Sequence, residues 1–382
     1  MNFLIYTNIL TPYRKYFYDL INEECQRTGD QFHVLVMAET ESNRTWKFED
    51  LRSEYTILLE SITISWGETY FHFNRNLPKM LMSLSPEIVV CAGGYNCPGV
   101  WEIVSLKNKL NYRCYFWSES HLNEVKNNNQ IKLLIRELLR KWIYQKFDGF
   151  WYAGKLSREF CEKYAASAAK YFFLPNVVDE NKYSQRMSDE QRQCLRKKYR
   201  LSQNSVVFIC PARLSPVKGI LEFLEMIKES ANSKRAVFLI AGSGELREKI
   251  IERSEEYRLD VRLLGEKSQE EIMQLYAISD AFLMPSLSDP NPLTCIEALW
   301  EGLPLFISDH CGNSYEVIRQ GINGYVFSYE NLENALEMFD KIVTADLEWR
   351  EIASKTSVEI AEQIYNSKNT VKRIISEMRR TI

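Results

Sequence analysis

Short apolar runs alternate with longer amphipathic stretches along almost the whole chain. In the first half, Phe3–Asn8, His33–Ala38, Tyr55–Glu60, Glu87–Gly93, Arg113–Glu119, Gly149–Gly154 and Lys170–Asn176 read as strands. In the second half the same holds for Val206–Pro211, Ala236–Gly242, Val261–Gly265, Ala281–Ser286, Leu303–Asp309 and Gly324–Phe327. Several are near-continuous β-branched and aromatic runs, the pattern of strands covered by helices on both faces. Between them lie helical stretches such as Ile220–Ser230, Glu245–Tyr257, Gln269–Ser279 and Thr294–Glu301. This alternation predicts an α/β protein with doubly wound parallel sheets, one in each half.

The seam falls at Val177–Ser205, where the chain turns polar and charged (SQRMSDEQRQCLRKKYRLSQNS), with Asn176-Val177-Val178-Asp179 as the hinge. The predicted domains are 1–178 and 179–358, and a charged helical segment, 359–382, is able to pack back on the first. Two Rossmann-like domains facing each other across a cleft are expected, with ligand in that cleft.

Composition narrows the function. A chain of 382 residues is too long for one compact core, and 45% hydrophobic with 26% charged residues is the balance of a globular protein. The 48 basic and 51 acidic side chains leave a net charge of −3, so nucleic acid is not the expected partner. No apolar run reaches the ~18 residues of a spanning helix. MNFLIYTNILTPYR has no cationic segment before its apolar stretch, so no secretory signal is expected. The nine cysteines are odd in number, scattered and without a CxxC, and the four histidines are not paired at ligand spacing. Reduced core thiols in a cytoplasmic protein, and no structural zinc, are the expectations.

No GxGxxG follows the first strand; that turn is Asn8-Ile9-Leu10-Thr11-Pro12-Tyr13-Arg14. There is no P-loop and no Asp-x-Asp pair to hold a metal on a diphosphate, so side-chain cations and helix N-termini are the expected phosphate grips. One spot supplies them. In Pro211-Ala212-Arg213-Leu214-Ser215-Pro216-Val217-Lys218-Gly219, Arg213 sits at a strand's carboxyl end and Lys218 at a helix start. That is the crevice edge where open α/β sheets bind ligands. Each charge-assisted contact there is worth ~1.5–3 kcal/mol. A second spot, Pro285-Ser286-Leu287-Ser288-Asp289-Pro290-Asn291-Pro292-Leu293-Thr294, leads into a helix carrying Glu297. The free N–H groups of its start suit an anion or a sugar hydroxyl, and a carboxylate there can accept ribose hydroxyls. The plainer alternative for each spot is a solvated loop and a helix-dipole charge.

With these pieces the second half resembles the donor domain of the retaining GT-B glycosyltransferases, family 4 (glycosyl transferases group 1). The matching segments are PARLSPVKG, AGSGELREK, VRLLGEKSQEEIMQLYAISDAFLMPS, DPNPLTCIEALWEGLPLFISD and GINGYVF, in the family order over roughly Val206–Ser328. The family's paired acids, E-x7-E, map onto Asp289 and Glu297, the first shortened to Asp; its phosphate-binding Arg and Lys map onto Arg213 and Lys218. The TPYR stretch is similar to that of bacterial polysaccharide enzymes. The resemblance implies a histidine near the donor sugar, a position His121 fits. It further implies sugar transfer, hexosyl or N-acetylhexosaminyl, from a UDP- or GDP-sugar to a glycan or lipid-linked glycan, without metal or other cofactor. In that scheme Arg213 and Lys218 meet the leaving diphosphate and Glu297 the ribose. Asp289 orients the sugar with Asn291, Pro292, Leu293 and Thr294, and His121 contacts it from the other domain. Thr11, Pro12, Gly94, Tyr95 and Glu119 are the candidate binding residues of the first half, with Tyr95 and Trp117 as sugar-stacking rings.

Residues 121–147 carry six basic against two acidic side chains, interleaved with Leu133, Leu134, Ile135, Leu138, Leu139, Trp142, Ile143 and Phe147. Two accounts stand: a peripheral contact with an anionic membrane at the inner face of the cell, or an ordinary helix with a core and a solvated face. Three rival functions also remain, a GT-B sugar-nucleotide epimerase, a non-catalytic sugar-nucleotide or glycan-binding protein, and an NAD-dependent dehydrogenase; the missing GxGxxG counts against the last.

Overall fold

The computed structural model describes residues 1–41, 47–66, 69–122, 130–183 and 187–382. The chain divides into two compact units, Met1–Glu119 with Lys126–Val178 and Ser367–Ile382, and Ser120–Val125 with Asp179–Asn366.

The first unit is built on strands β1 (Asn2–Thr7), β2 (Gln31–Val36), β3 (Thr56–Leu58), β4 (Ser61–Trp66), β5 (Thr69–Asn74), β6 (Ile88–Cys91), β7 (Arg113–Ser118), β8 (Gly149–Tyr152) and β9 (Lys170–Phe173). Seven form a parallel sheet in the order β3-β2-β1-β6-β7-β8-β9. Alternate residues of β1 serve two cores: Phe3 and Ile5 pack with Phe17, Trp151 and Ile374, while Leu4 and Tyr6 pack with Leu77, Val100 and Phe160. Burial on both faces is why the strand reads as an unbroken apolar run.

β4 and β5 form a separate antiparallel pair, an element that the pattern of buried apolar runs does not predict. SITISW alternates, as does Phe71–Asn74, and in β5 the polar residues His72 and Asn74 face the protein while Ser61–Ser65 of β4 is exposed on both sides. His72 is fully buried with Nδ1 2.9 Å from Thr63 Oγ1. Asn74 accepts from the Tyr6 hydroxyl at 2.8 Å and donates to the Met37 carbonyl at 2.8 Å.

The second unit holds β10 (Val206–Pro211), β11 (Ala236–Ala241), β12 (Asp260–Gly265), β13 (Ala281–Met284), β14 (Leu305–Ser308) and β15 (Gly324–Phe327), all parallel, in the order β12-β11-β10-β13-β14-β15. Strand order reverses direction at β10 and β13, so the switch-point crevice opens beyond Pro211 and Met284. The charged stretch after Asp179 is not a bare linker. It contains a helix, Asp189–Lys198, whose Arg192 and Arg196 pair with Asp280 at 2.9 and 3.2 Å.

The C-terminal segment also differs from expectation. Helix Leu347–Ile364 is continuous and buries Ala353, Thr356, Ile360 and Ala361 in the second unit, so that unit extends to Asn366 and not to 358. Only the following helix, Ser367–Arg379, belongs to the first unit. There it buries Val371, Ile374, Ile375 and Met378, and Arg379 pairs with Asp30.

Candidate functional site

The two loops that leave β10 and β13 are tied together by backbone. After β10 the chain makes a short 3-10 turn, Pro216–Lys218, and enters the helix Ile220–Ile227 through Gly219 at φ +63°. A Cβ on Gly219 would lie 2.1 Å from the Pro285 carbonyl oxygen, so both the left-handed turn and the close approach call for glycine here. The Leu287 N–H donates to the Val217 carbonyl at 2.8 Å, and the Tyr329 hydroxyl donates to Pro285 O at 2.7 Å.

This clamp places Lys218 against Asp289. Nζ lies 2.6 Å from Oδ2, and the side chains are only 17% and 13% exposed. An ammonium has three donors, and the pair uses one, so the cation keeps capacity for a second anion. Arg213 is exposed and makes no hydrogen bond or ion pair among the described residues. Its backbone is nonetheless held: Leu214 N–H donates to Ser243 O at 2.9 Å, and Leu246 N–H to Leu214 O at 3.0 Å. The Gly242-Ser243-Gly244 turn therefore supports the cationic loop. One exposed, unpaired guanidinium and one paired ammonium stand at the β10 edge of the crevice.

Asp289 is fixed from the β14 side. Its N–H donates to His310 O at 3.2 Å, and its carbonyl accepts from Gly312 N–H at 2.9 Å. His121 joins this segment. It is 1% exposed, is grouped with the second unit, and its Cδ2 lies 3.0 Å from where a Cβ on Gly312 would stand. A side chain at 312 would push the imidazole away.

The Asn291–Thr294 turn is held by a residue that the sequence reading missed. Asn313, fully buried, donates from Nδ2 to Pro292 O at 3.1 Å and reaches Asn291 Oδ1 at 3.5 Å. Pro292 is the N-cap of helix Leu293–Trp300, and no side chain caps the N–H groups of its first turn. That leaves donors and the positive end of the helix dipole facing the crevice.

Glu297, on the same helix, has its own partners, also unforeseen. The Tyr276 hydroxyl donates to Oε2 at 2.7 Å, and the nearby Tyr183 hydroxyl also favours the charged carboxylate. Burial raises its pKa above the usual glutamate value, against the lowering pull of the two tyrosines and Lys182. Thus Asp289 is matched to a cation and Glu297 to neutral donors, two environments for two carboxylates.

The remaining candidates belong to the first unit, each after the carboxyl end of a strand. Thr11 caps the helix Pro12–Thr28, its Oγ1 accepting from Arg14 N–H at 3.4 Å, with Pro12 as the first helical residue. Glu119 pairs with Arg14, whose guanidinium lies 3.7 Å over the Trp117 ring. Trp117 is buried against Phe17 and Trp151, which corrects its reading as a free stacking ring. Gly94 O accepts from Cys97 N–H at 2.9 Å. Tyr95 is half-buried, 6.3 Å from Tyr144 and 5.0 Å below the Arg140 guanidinium. Among the described residues no group of three or more His, Cys, Asp or Glu is placed to hold a metal, and no helix is long and apolar enough to cross a membrane. Eight of the nine cysteines are buried thiols and Cys194 is exposed.

Comparison with known proteins fits this geometry. The chain has the GT-B fold: Anabaena HepE in complex with UDP superposes over 100% of both chains with TM-score 0.75 at 16% identity. The lipopolysaccharide outer core galactosyltransferase WaaB, in its apo form, does so over 100% of both chains with TM-score 0.75 at 14% identity. Residues 191–359, which include Arg213, Lys218, Asp289 and Glu297 but not His121 or Tyr183, match the family model described as Glycosyl transferases group 1. The Escherichia coli UDP-Gal:alpha-D-GlcNAc-diphosphoundecaprenol alpha-1,3-galactosyltransferase is 29% identical over 209 residues, 54% of this chain and 52% of that protein. The Salmonella typhimurium lipopolysaccharide 1,2-N-acetylglucosaminetransferase is 23% identical over 223 residues, 56% of this chain and 57% of that protein. The chain thus spans about half the length of the curated relatives it matches.

Proposed function

We propose that the protein is a retaining glycosyltransferase of family 4. It moves a hexosyl or N-acetylhexosaminyl group from a nucleoside-diphosphate sugar to a glycan or lipid-linked glycan in polysaccharide or cell-surface glycan assembly. The observation that carries this is the Lys218–Asp289 pair at the switch point, with Arg213 beside it and an uncapped helix start beyond. A diphosphate needs cations and N–H donors, and a sugar needs a fixed carboxylate; the crevice supplies both. UDP is the favoured donor nucleotide over GDP, because the names of the E. coli relative and of the HepE complex carry UDP.

In the reaction the bond between the anomeric carbon and the diphosphate oxygen breaks, and a bond from the acceptor oxygen forms on the same face. The acceptor's proton passes to the departing diphosphate. Arg213 and Lys218 stabilise the charge that develops there, which is where preorganised cations lower a barrier most. Lys218 exchanges part of its hold on Asp289 for the phosphate, and the freed Asp289 oxygen accepts from a sugar hydroxyl. Glu297 takes the ribose, and His121 stands beside the Asp289 segment to contact the sugar. The scheme uses no metal. We further place the protein on the cytoplasmic side, in peripheral contact with the membrane through helix Gln130–Tyr144, whose Leu134, Leu138 and Trp142 are more than half exposed at 62%, 60% and 51%.

The test is incubation with UDP- and GDP-sugars and a lipid-linked glycan acceptor, with EDTA present, followed by product mass. An acceptor heavier by one sugar, with the anomeric configuration of the donor kept, supports the proposal. A changed sugar released without acceptor identifies an epimerase. Nucleotide-induced thermal stabilisation without turnover identifies a binding protein.

A further inference from the structure

We propose that the paired strands Ser61–Trp66 and Thr69–Asn74 are a second lipid-facing element of the first unit, forming with helix Gln130–Tyr144 a two-part surface for an anionic bilayer. This rests on the reading of that helix as a peripheral membrane contact and extends it to an element outside 121–147.

β5 is turned the opposite way from an ordinary surface strand, with His72 and Asn74 buried and Phe73 exposed, and β4, exposed along Ser61–Ser65, lies outside it. Directly opposed residues of an antiparallel pair share a face, so Ile62 with Phe73 and Ile64 with Phe71 make one apolar side. Ile62, Ile64 and Phe73 are exposed at 46%, 55% and 42%. A slip of one residue in β5 would turn Phe73 inward and expose His72 and Asn74 instead. The Tyr6 and Met37 hydrogen bonds to Asn74, and the Glu41 carboxylate 3.5 Å from His72 Nε2, tie β5 to the body of the unit and prevent it. The chain therefore holds an apolar surface outward at the expense of burying a histidine and an asparagine. Scattered apolar residues need no explanation, but a face held outward by buried polar anchors does.

Both elements lean on one helix, Pro98–Leu110. β5 packs against it directly, and its Trp101 stacks on Trp142 of the second element at 5.0 Å. Charge then decides the occupant. Arg75, Lys79, Lys109, Lys141 and Lys146 on or beside these elements are exposed and form no ion pair among the described residues. Opposing them are exposed Glu60 and half-buried Glu102 and Glu41, the last 3.5 Å from His72 Nε2, while Glu137 is engaged by Lys163 at 3.1 Å. A second copy of this chain would bring a like positive rim against the first. An anionic headgroup layer neutralises it, and the aromatic and aliphatic tips suit the boundary beneath.

The experiment is co-sedimentation of the full chain with vesicles of phosphatidylcholine alone and of phosphatidylcholine mixed with phosphatidylglycerol. It compares the parent with Ile62→Ser/Ile64→Ser and with Leu138→Ser/Trp142→Ser. All four positions are exposed, and circular dichroism with UDP-induced thermal stabilisation verifies each fold. The expected result is binding to the anionic vesicles only, weakened by high salt, and reduced about tenfold by either pair of substitutions. Parent-like binding of the hairpin variant, with loss in the helix variant, overturns the hairpin's role and leaves the helix reading standing. No vesicle binding by the parent overturns both. A lipid-free dimer abolished by the hairpin substitutions makes a second copy the occupant and also overturns it. Sugar transfer, assayed separately with a soluble acceptor, shows whether the enzymatic reading fails independently.

Discussion

The two units use their surfaces differently. In the second, charged groups converge where β10 and β13 end, and the exposed large apolar residues, such as Val217, Tyr315, Leu332 and Leu347, are scattered over separate elements. In the first, the corresponding strand ends are occupied by groups that serve the fold: Thr11 caps a helix, Arg14 covers Trp117, and Tyr95 packs under Arg140. Most of its apolar exposure is instead gathered on one helix and one strand pair, with Tyr13, Met82 and Ile382 apart from them. The charge of the second unit lies at strand ends, and the exposed apolar surface of the first lies mostly on outer elements. The same doubly wound architecture accommodates both, because strand ends and outer helix faces are independent places to put function.

The largest expected effect breaks or confirms the charged half of this contrast. Replacing Arg213 or Lys218 by alanine should lower donor turnover about 100- to 1000-fold, the usual loss when one stabiliser of developing charge is removed. The two should differ in the ground state. Lys218→Ala leaves the partly buried Asp289 carboxylate without its cation and should also destabilise the fold, whereas Arg213→Ala should not. Turnover assays and thermal unfolding separate these outcomes, and near-parent turnover in both variants removes the diphosphate assignment.

Next in size is the setting of Glu297. Tyr276→Phe deletes a 2.7 Å bond to a carboxylate and should weaken UDP binding about tenfold, read as Kd by calorimetry. A positioning role predicts that KM for the donor rises more than kcat falls, and that Tyr183→Phe acts in the same direction. Equal binding in both variants would mean that the carboxylate needs no help in presenting itself.

The raised pKa of Glu297 adds a pH dependence with a definite sign. Because burial favours the neutral acid in the folded protein, the folded state binds more protons than the unfolded one between the usual glutamate value and the raised one. In that window this residue's contribution to stability grows as pH falls. Its ability to accept ribose hydroxyls as a carboxylate declines over the same range. Donor affinity should therefore weaken at a pH above that of ordinary glutamate titration, while Glu297→Gln should flatten this limb of the Kd–pH curve. A parent curve that stays flat down to the ordinary glutamate range would contradict the burial argument.

Legibility in the sequence followed the range of the interactions. Arg213, Lys218 and Asp289 lie in contiguous loops after apolar runs, so strand ends and charges could be read together. Asn313, Tyr276 and Tyr183 could not be found that way. Each reaches its target across a tertiary contact between residues 21 or more apart for the first two, and nothing in GNSYEV or MQLYAI distinguishes a site residue from packing. The hairpin escaped for a different reason. Its alternation is visible, but periodicity does not say which side faces the protein, and here buried hydrogen bonds reverse the usual choice. The break at Tyr365-Asn366 was likewise hidden, because two amphipathic helices in succession read as one.

The smallest effect tests the structural half of the contrast at its most sequence-like residue. Thr11 sits in the turn after β1, where a ligand contact is expected by resemblance, yet its hydroxyl accepts from the Arg14 N–H at the start of a helix. An N-cap of this type is worth ~1 kcal/mol, because without it one of the first N–H groups of the helix loses its acceptor. Thr11→Ala should therefore lower unfolding free energy by about that amount, measured by denaturant titration, and Thr11→Ser should recover most of it. Serine keeps the oxygen and loses only the methyl group, so recovery identifies the cap as the origin of the loss. If alanine and serine destabilise equally, the methyl contacts matter and the hydroxyl is not spent on the helix. It would then be available to a ligand, and the first unit would resemble the second more than its packing suggests.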